Sequence, residues 1–172
     1  MQKEVIELFA NYNKLTNEAM NDVIKTLSKA EWEKSLGGYF PSVRSLCSHL
    51  YTTDFNWMKR FRNLRSFTTL KDAFFDKTYA RGEMIFEDMG EYLARRPDLD
   101  NRILAFVHEL TNADMDSVLK FTDPAGKAQE RNAGGHILQY FNHGTHHRGA
   151  ISVYLEQLGH PNDFASFGKV VK

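Results

Sequence analysis

Three histidines near the carboxyl end of the chain have the residue type and spacing that chemistry could use. The string His143-Gly144-Thr145-His146-His147 places His143 and His147 four residues apart. On an α-helix, residues four apart lie on one face, one turn from each other. Two imidazoles arranged in this way can share a metal ion, as in helical His-x-x-x-His zinc sites. The alternative is a set of surface histidines or a hydrogen-bonded pair in the core.

The apolar residues around these histidines predict which face of the helix points inward. His147 falls between Tyr140 and Ile151 on the apolar stripe. His143 lies one turn before His147 and about 40° away from it around the helix. His146 points about 100° from His147, toward a flank. We therefore expect His143 and His147 to face the interior. Two neutral imidazoles facing a core without partners would be costly, and a metal ion removes that cost.

A metal site between helices needs a ligand from a second helix, and His49 is the best candidate. It lies beside Leu46 and Leu50 of another amphipathic segment; taken alone, its alternative is a structural role. Cys47 cannot share a metal with His49, because residues two apart on a helix point about 200° apart. Three neutral histidines leave one coordination position open for water or substrate, which is the pattern of a catalytic site.

Long amphipathic segments must position these histidines. Apolar spacings of three and four predict five helices. The first covers about 2–30, and the second begins after Pro41 with Ser42 as its N-cap. The third covers about 72–95 and is ended by Pro97, and the last two cover about 99–110 and 133–158. The first helix is expected to bury the stripe Val5, Leu8, Phe9, Tyr12, Leu15, Ala19, Val23 and Leu27.

The connection before the last helix has a different pattern. Asp123-Pro124-Ala125-Gly126 is a turn between two short extended runs, which predicts a small β-hairpin. The expected fold is all-α: a single domain over 1–172 that forms a four-helix bundle, with a short extra helix and this hairpin before the last long helix.

Charge and composition narrow the class of protein. The chain has 172 residues, with 22 Lys plus Arg and 22 Asp plus Glu. A net charge of zero argues against nucleic-acid binding. A solvated helix face is the favoured interpretation of the basic cluster Lys59, Arg60, Arg62 and Arg65, and a nucleic-acid contact is the alternative. No apolar stretch reaches membrane-span length and no signal peptide is recognisable, so we expect a cytoplasmic protein with no membrane partner.

The string Phe141-Asn142-His143-Gly144-Thr145-His146-His147-Arg148-Gly149 resembles the carboxyl-terminal motif of the DinB-like (DinB/YfiT) metalloenzyme family. Tyr12-Asn13 with Asn17, and the run from Ser42 to Leu46 followed by His49, are similar to that family in their order. The resemblance covers essentially the whole chain. Members often have glutamine where Ala150 stands, which affects a polar contact and not the ligands.

The resemblance implies a four-helix bundle that holds one divalent metal ion per chain, commonly nickel or zinc, through His49, His143 and His147. It also implies a homodimer. Some relatives are S-transferases that act with a low-molecular-weight thiol, namely bacillithiol, mycothiol or glutathione. Two functions follow as expectations: a metal-dependent enzyme of thiol S-transferase or hydrolase type acting on a small molecule, or a non-enzymatic metal-binding stress-response or interaction protein.

Four further residues near the motif have two interpretations each. Arg148 either binds an anionic group or forms a surface ion pair, and Tyr140 and Tyr154 either line a pocket or pack in the core. His136, two turns before His143, either supports the metal ligands or is an ordinary histidine at a helix start.

Overall fold

Four long α-helices form the frame of the molecule. The computed structural model describes residues 2–80, 82–123 and 125–171. Its elements are α1 (Lys3–Ile24), α2 (Lys29–Glu33), α3 (Val43–Phe61), α4 (Met89–Glu109), α5 (Asn112–Asp116), β1 (Val118–Thr122), β2 (Ala128–Asn132) and α6 (Ala133–Gln157), with 3-10 turns at Ala73–Phe75 and Phe167–Lys169. Both α1 and α3 pack against α4 and α6, so α1 and α3 lie diagonally across the bundle. The four-helix bundle itself agrees with the prediction.

The two helices that carry the histidine candidates begin at capped residues. Ser42 starts α3 with a capping box, in which its Oγ accepts from Ser45 N at 3.1 Å and Ser45 Oγ accepts from Ser42 N at 2.9 Å. Asn132 starts α6 and accepts from Gly135 N at 2.8 Å. These contacts confirm the predicted starts of both helices. None of the helices within the described residues is long and apolar enough to cross a membrane.

The segment between α3 and α4 differs from the prediction. The sequence predicts a helix over 72–95, but the chain forms a 3-10 turn at Ala73–Phe75, and residues 76–80 and 82–87 form no helix or strand. Asp88 then caps α4. Phe75, Tyr79 and Phe86 are buried here, at spacings of four and seven that imitate a helical stripe. These residues do not lie on one α-helix, and their rings pack on aromatic residues of α3.

Pro97 does not end a helix, because it lies inside α4, which joins the last turns of the third predicted helix to the fourth. A proline inside a helix removes one backbone hydrogen bond and costs about 3 kcal/mol. Buried contacts on both sides of the proline offset this cost: Arg96 pairs with Asp100 one turn later, and Leu99 is fully buried.

The first helix is also shorter than predicted. α1 ends at Ile24, and the separate helix α2 follows with its own capping box between Ser28 and Glu31. A capped start at residue 28 is incompatible with one continuous helix to residue 30, because the N-cap residue is not helical.

The buried face of α1 is rotated from the predicted stripe. Val5, Leu8 and Leu15 are 40%, 37% and 46% exposed, whereas Asn13 and Asn17 are buried. Tyr12 is buried as expected. The prediction failed because polar side chains in the bundle interior occupy positions that an apolar pattern assigns to the surface.

The small hairpin lies before α6, as predicted. β1 pairs with β2 antiparallel, from Val118 opposite Asn132 to Thr122 opposite Ala128. Asp123 begins the turn, and its Oδ1 accepts from Ala125 N at 3.0 Å. Pro124 of the predicted turn lies outside the described residues.

Candidate metal centre

The structure brings His49 of α3 together with His143 and His147 of α6. The Nε2 atom of His49 lies 3.3 Å from Nε2 of His143 and 3.2 Å from Nε2 of His147. The Nε2 atoms of His143 and His147 are 3.0 Å apart. His147 is buried, whereas His146 is exposed and lies outside the triangle.

Three imidazole nitrogens in such a triangle cannot satisfy one another with hydrogen bonds. Each Nε2 carries either a proton or a lone pair, so at least one of the three contacts joins two like groups. A metal ion removes this conflict because it accepts a lone pair from each ring. Two nitrogens bound about 2.0–2.1 Å from one zinc ion at a tetrahedral angle lie about 3.3 Å apart. The observed separations of 3.0–3.3 Å therefore fit a shared ion.

The surroundings of His143 and His147 keep these two imidazole rings neutral. Burial, together with the neighbouring His143 and His49, lowers the pKa of His147 to about 3. Burial also lowers the pKa of His143, and the Asp54 carboxylate opposes that shift. Both imidazoles are therefore uncharged at pH 7, which is the state that a metal ion requires of its histidine ligands.

The loop before α3 covers one side of the triangle. The Phe40 ring stacks on His49, with centroids 4.1 Å apart and planes at 22°. Tyr154 of α6 fixes this loop, because its hydroxyl contacts the carbonyl of Gly37 and lies 2.9 Å from that of Phe40. Gly38 has φ of +77°, and a Cβ there would lie 2.6 Å from the Tyr154 hydroxyl oxygen. Only glycine fits this position without displacing the tyrosine.

The triangle opens on its other side into a groove. A cavity of about 1250 Å³ is lined by the three histidines and continues along α3 to Trp57 and Arg60. Among the described residues, the histidine, cysteine and carboxylate side chains that lie close enough together to hold a metal ion are these three histidines. Three ligands beside open space form the arrangement of metal sites that keep a position for water or substrate.

Arg148 follows His147 in the chain but lies on another side of α6. It is 3% exposed and contacts Oδ1 of Asn13, with Oδ1 of Asn17 at 3.4 Å. The interpretation as a surface ion pair is therefore wrong, because the Arg148 guanidinium is buried against asparagines. Instead, the asparagines near the start of the chain and the arginine near its end bind each other across the α1–α6 contact.

A buried polar network continues from these asparagines through the bundle. Asn17 Nδ2 donates to Asp100 Oδ1 at 2.8 Å, and Arg96 Nε donates to Asp100 Oδ2 at 3.0 Å. Arg96 Nη1 then donates to Asp54 Oδ2 of α3 at 2.6 Å. Sequence reasoning missed this network, although the i,i+4 spacing of Arg96 and Asp100 on an apolar stripe is the signal that could have found its centre.

The remaining sequence candidates lie away from the triangle. Cys47 is buried, and burial raises the pKa of its thiol to about 12. Tyr140 is buried in the core, as the packing interpretation predicts. His136 stacks on Phe121 and packs at a tilt on Trp57, with centroids 5.0 and 4.6 Å away, at the end of the groove that is far from the three histidines.

The fold and the site together define a class: a helical bundle with a three-histidine cluster, compatible with metal binding, at the wall of an open groove. The chain belongs to the DinB family, whose family model matches residues 1–167. It is similar to Protein DinB of Bacillus subtilis (strain 168), with 24% identity over 159 residues that cover 91% of this chain and 88% of that protein. These matches confirm the resemblance drawn from the motif residues.

Proposed function

We propose that this protein binds one divalent metal ion per chain through His49, His143 and His147, and that it is a metal-dependent enzyme of thiol S-transferase or hydrolase type. The observation that carries the proposal is the triangle of Nε2 atoms, 3.0–3.3 Å apart, at the wall of a cavity of about 1250 Å³. Pockets of roughly 300–1,000 Å³ hold small-molecule substrates, so this groove has room for one.

The residues of the chain divide the work of such a site. A divalent ion held by three neutral imidazoles supplies Lewis-acid chemistry, which favours the deprotonated form of a thiol or of water at neutral pH. Burial keeps the lone pairs of His143 and His147 available. Phe40 packs on His49 and excludes water from that side of the ring. All-nitrogen ligation suits zinc or nickel, and the family resemblance favours the same two metals and a thiol substrate.

Metal content tests the first half of the proposal. Untagged wild type, His147→Ala and His146→Ala would be purified in parallel and measured by plasma mass spectrometry. We expect about one nickel or zinc ion per chain in wild type and in His146→Ala, and loss of the metal in His147→Ala. His146 is a matched control because it is the same residue type, one position earlier and exposed. Equal loss in both variants, or an empty wild type after reconstitution, contradicts the proposal.

Reaction type is tested on the metal-loaded protein. Glutathione with 1-chloro-2,4-dinitrobenzene reports S-transfer, and p-nitrophenyl acetate without thiol reports hydrolysis. We expect acceleration of one of these reactions by wild type and by His146→Ala, and none by His147→Ala. Metal-loaded protein that leaves both mixtures unchanged across a panel of thiols, esters and electrophiles would favour a non-enzymatic role.

One observation supports a second candidate, an interaction protein that works as a homodimer. Val5, Leu8 and Leu15 are exposed on α1, at spacings of three and seven that place them on one stripe. The family resemblance implies a homodimer, and an exposed apolar stripe suits a second copy of the chain. Light scattering after size exclusion should give a dimer mass for wild type and a monomer mass for Leu8→Glu. A monomeric wild type would remove this candidate.

A further inference from the structure

The groove continues from the histidine triangle along one face of α3. His49, Thr53, Asn56 and Arg60 all line it, at spacings of four, three and four residues. Such spacings keep side chains on one helix face, so this stripe forms the floor of the groove. Arg60 lies three turns beyond His49, about 16 Å along the helix axis. The groove therefore has a second end with chemistry of its own.

Arg60 is held at that end by aromatic rings. Its guanidinium carbon lies 4.7 Å from the centroid of the Trp57 ring and 4.3 Å from that of Phe121 in β1. No described residue makes a hydrogen bond or an ion pair with its guanidinium. Burial lowers the pKa of Arg60, and the Asp123 carboxylate partly opposes this. The group remains charged, because arginine keeps its proton in proteins.

The basic residues next to Arg60 differ from it in this respect. Lys59 donates to the carbonyl of Asp76 at 2.9 Å, and Arg62 pairs with the Asp76 carboxylate at 2.7 Å. Arg65 pairs with Asp114, also at 2.7 Å. Of the four residues of the basic cluster, Arg60 is therefore the one whose guanidinium has no hydrogen-bond acceptor among the described residues. Its side chain also lines the groove.

We propose that the Arg60 end of the groove is a subsite for a carboxylate of the small-molecule substrate whose reacting group lies at the histidine triangle. The planar guanidinium offers paired N–H donors that match a carboxylate, and two rings hold it in place before the ligand arrives. The reacting end rests on the proposed function, whereas the carboxylate subsite does not require a metal.

The surroundings favour a carboxylate over a phosphate. Asp123 lines the same end of the groove, and its negative charge lies near enough to act on Arg60. A dianionic phosphate would add two charges beside that carboxylate, whereas a carboxylate adds one. The span also sets the ligand size. The Arg60 guanidinium lies over the ring of Trp57, a residue one turn closer to His49 along α3, and three extended residues reach about 10 Å. The fitting ligand is an acid of about tripeptide length.

Binding can be followed without catalysis, because the chain has two tryptophans and one of them, Trp57, touches Arg60. The other, Trp32, is fully buried and gives a constant background. The probe is S-methylglutathione, a tripeptide-sized dicarboxylate whose blocked sulfur cannot act as a thiolate. Its titration into wild type, Arg60→Gln, Arg60→Lys and Arg62→Gln would be followed by tryptophan fluorescence, with calorimetry to confirm each Kd. Arg62→Gln is the matched control, because Arg62 also lines the groove but is paired with Asp76.

We expect saturable binding to wild type that Arg60→Gln weakens about tenfold and Arg62→Gln by less than twofold. Arg60→Lys should fall between, because it keeps the charge and loses the planar fork. The diester of the probe should bind wild type as weakly as the acid binds Arg60→Gln. Equal affinity in wild type and Arg60→Gln, equal binding of acid and diester, or tighter binding of inorganic phosphate would each overturn the proposal.

The same titration separates this proposal from the proposed function. His147→Ala should bind S-methylglutathione like wild type, because the probe makes no demand on the metal. If His147→Ala retains its metal while Arg60→Gln loses affinity, the metal assignment fails and the carboxylate subsite stands. If the metal is lost as expected and Arg60→Gln binds normally, the subsite fails and the metal assignment stands.

Discussion

The buried ion cluster centred on Arg96 offers a sharp test of how the bundle is held together. Arg96 is 1% exposed and pairs with Asp54 of α3 and with Asp100 one turn along α4. Arg96→Met keeps much of the side-chain volume but leaves two buried carboxylates with one cation fewer. Breaking a buried pair in this way costs about 3–5 kcal/mol. A domain of this size loses about 2–4 °C in Tm per kcal/mol, so we expect a fall of roughly 6–20 °C.

A matched control lies on the same helix. Arg102 also pairs with two carboxylates, those of Asp72 and Asp98, but its side chain is 29% exposed. Exposed pairs are worth about 0–1 kcal/mol, so Arg102→Met should lower Tm by at most about 4 °C. Calorimetry and urea unfolding of wild type and both variants would measure the difference.

The loss in Arg96→Met should also depend on pH. Burial raises the pKa of Asp54, and Arg96 opposes that rise. Without Arg96 the pKa of Asp54 in the folded state rises further above its unfolded value. A carboxyl of this kind binds its proton more tightly in the folded state, so its stability contribution grows as pH falls and is lost as pH rises through the folded pKa. The free-energy difference between wild type and Arg96→Met should therefore shrink from pH 8 toward pH 5.

Two results would refute this reasoning. If Arg96→Met were no less stable than Arg102→Met, the buried cluster would not contribute more than a surface pair. If the difference from wild type stayed constant between pH 8 and pH 5, Asp54 would not be the carboxylate left without its partner.

Two further predictions concern single side chains. Gly144→Ala should destabilise the protein by about 1–3 kcal/mol, because the added Cβ would lie 3.1 Å from Arg148 Nη1. Gly149→Ala should instead stabilise α6 by up to about 1 kcal/mol, because its Cβ would meet no atom within 4 Å. If urea unfolding showed a loss of stability in both variants, the contact with Arg148 would not be the cause. Cys47 should resist iodoacetamide at pH 8 in the folded protein, because burial raises its thiol pKa to about 12. It should react once the protein is unfolded in urea. Rapid labelling of the native protein, measured by mass spectrometry, would contradict the burial of Cys47.

The parts of the fold that the sequence predicts correctly are those fixed by local contacts. Ser42 caps α3 through atoms within three residues. The helix α6 is recognisable because apolar residues recur at helical spacing on both sides of His147, from Ile137 to Leu155. The approach of His49 to His143 was predictable because each lies on the inward face of its own helix. These features depend on spacing along one segment and on the packing of neighbouring helices.

The errors occurred where distant residues decide the structure. Phe75 and Tyr79 have the spacing of an α-helix, but Phe75 lies in a 3-10 turn and Tyr79 in an irregular segment. Both rings pack on Phe55 of α3, a contact that no local pattern encodes. The burial of Asn13 and Asn17 on α1 depends on their partners Asp100 and Arg148, which lie more than 80 residues away in the sequence. Because these polar side chains occupy part of the inward face, the buried face of α1 is rotated from the predicted apolar stripe.

The network also explains why the histidine motif contains more than histidines. His143 and His147 form one i,i+4 pair that faces α3, where His49 completes the triangle. Gly144 and Arg148 form a second i,i+4 pair, shifted by one residue and therefore by about 100°, and this pair faces α1. The absence of a side chain at Gly144 lets the Arg148 guanidinium lie against Asn13. One face of α6 thus presents the histidine nitrogens to α3, while the next face fixes the rotation of the helix against α1. A larger residue at position 144 would therefore move His143 and His147 together with Arg148.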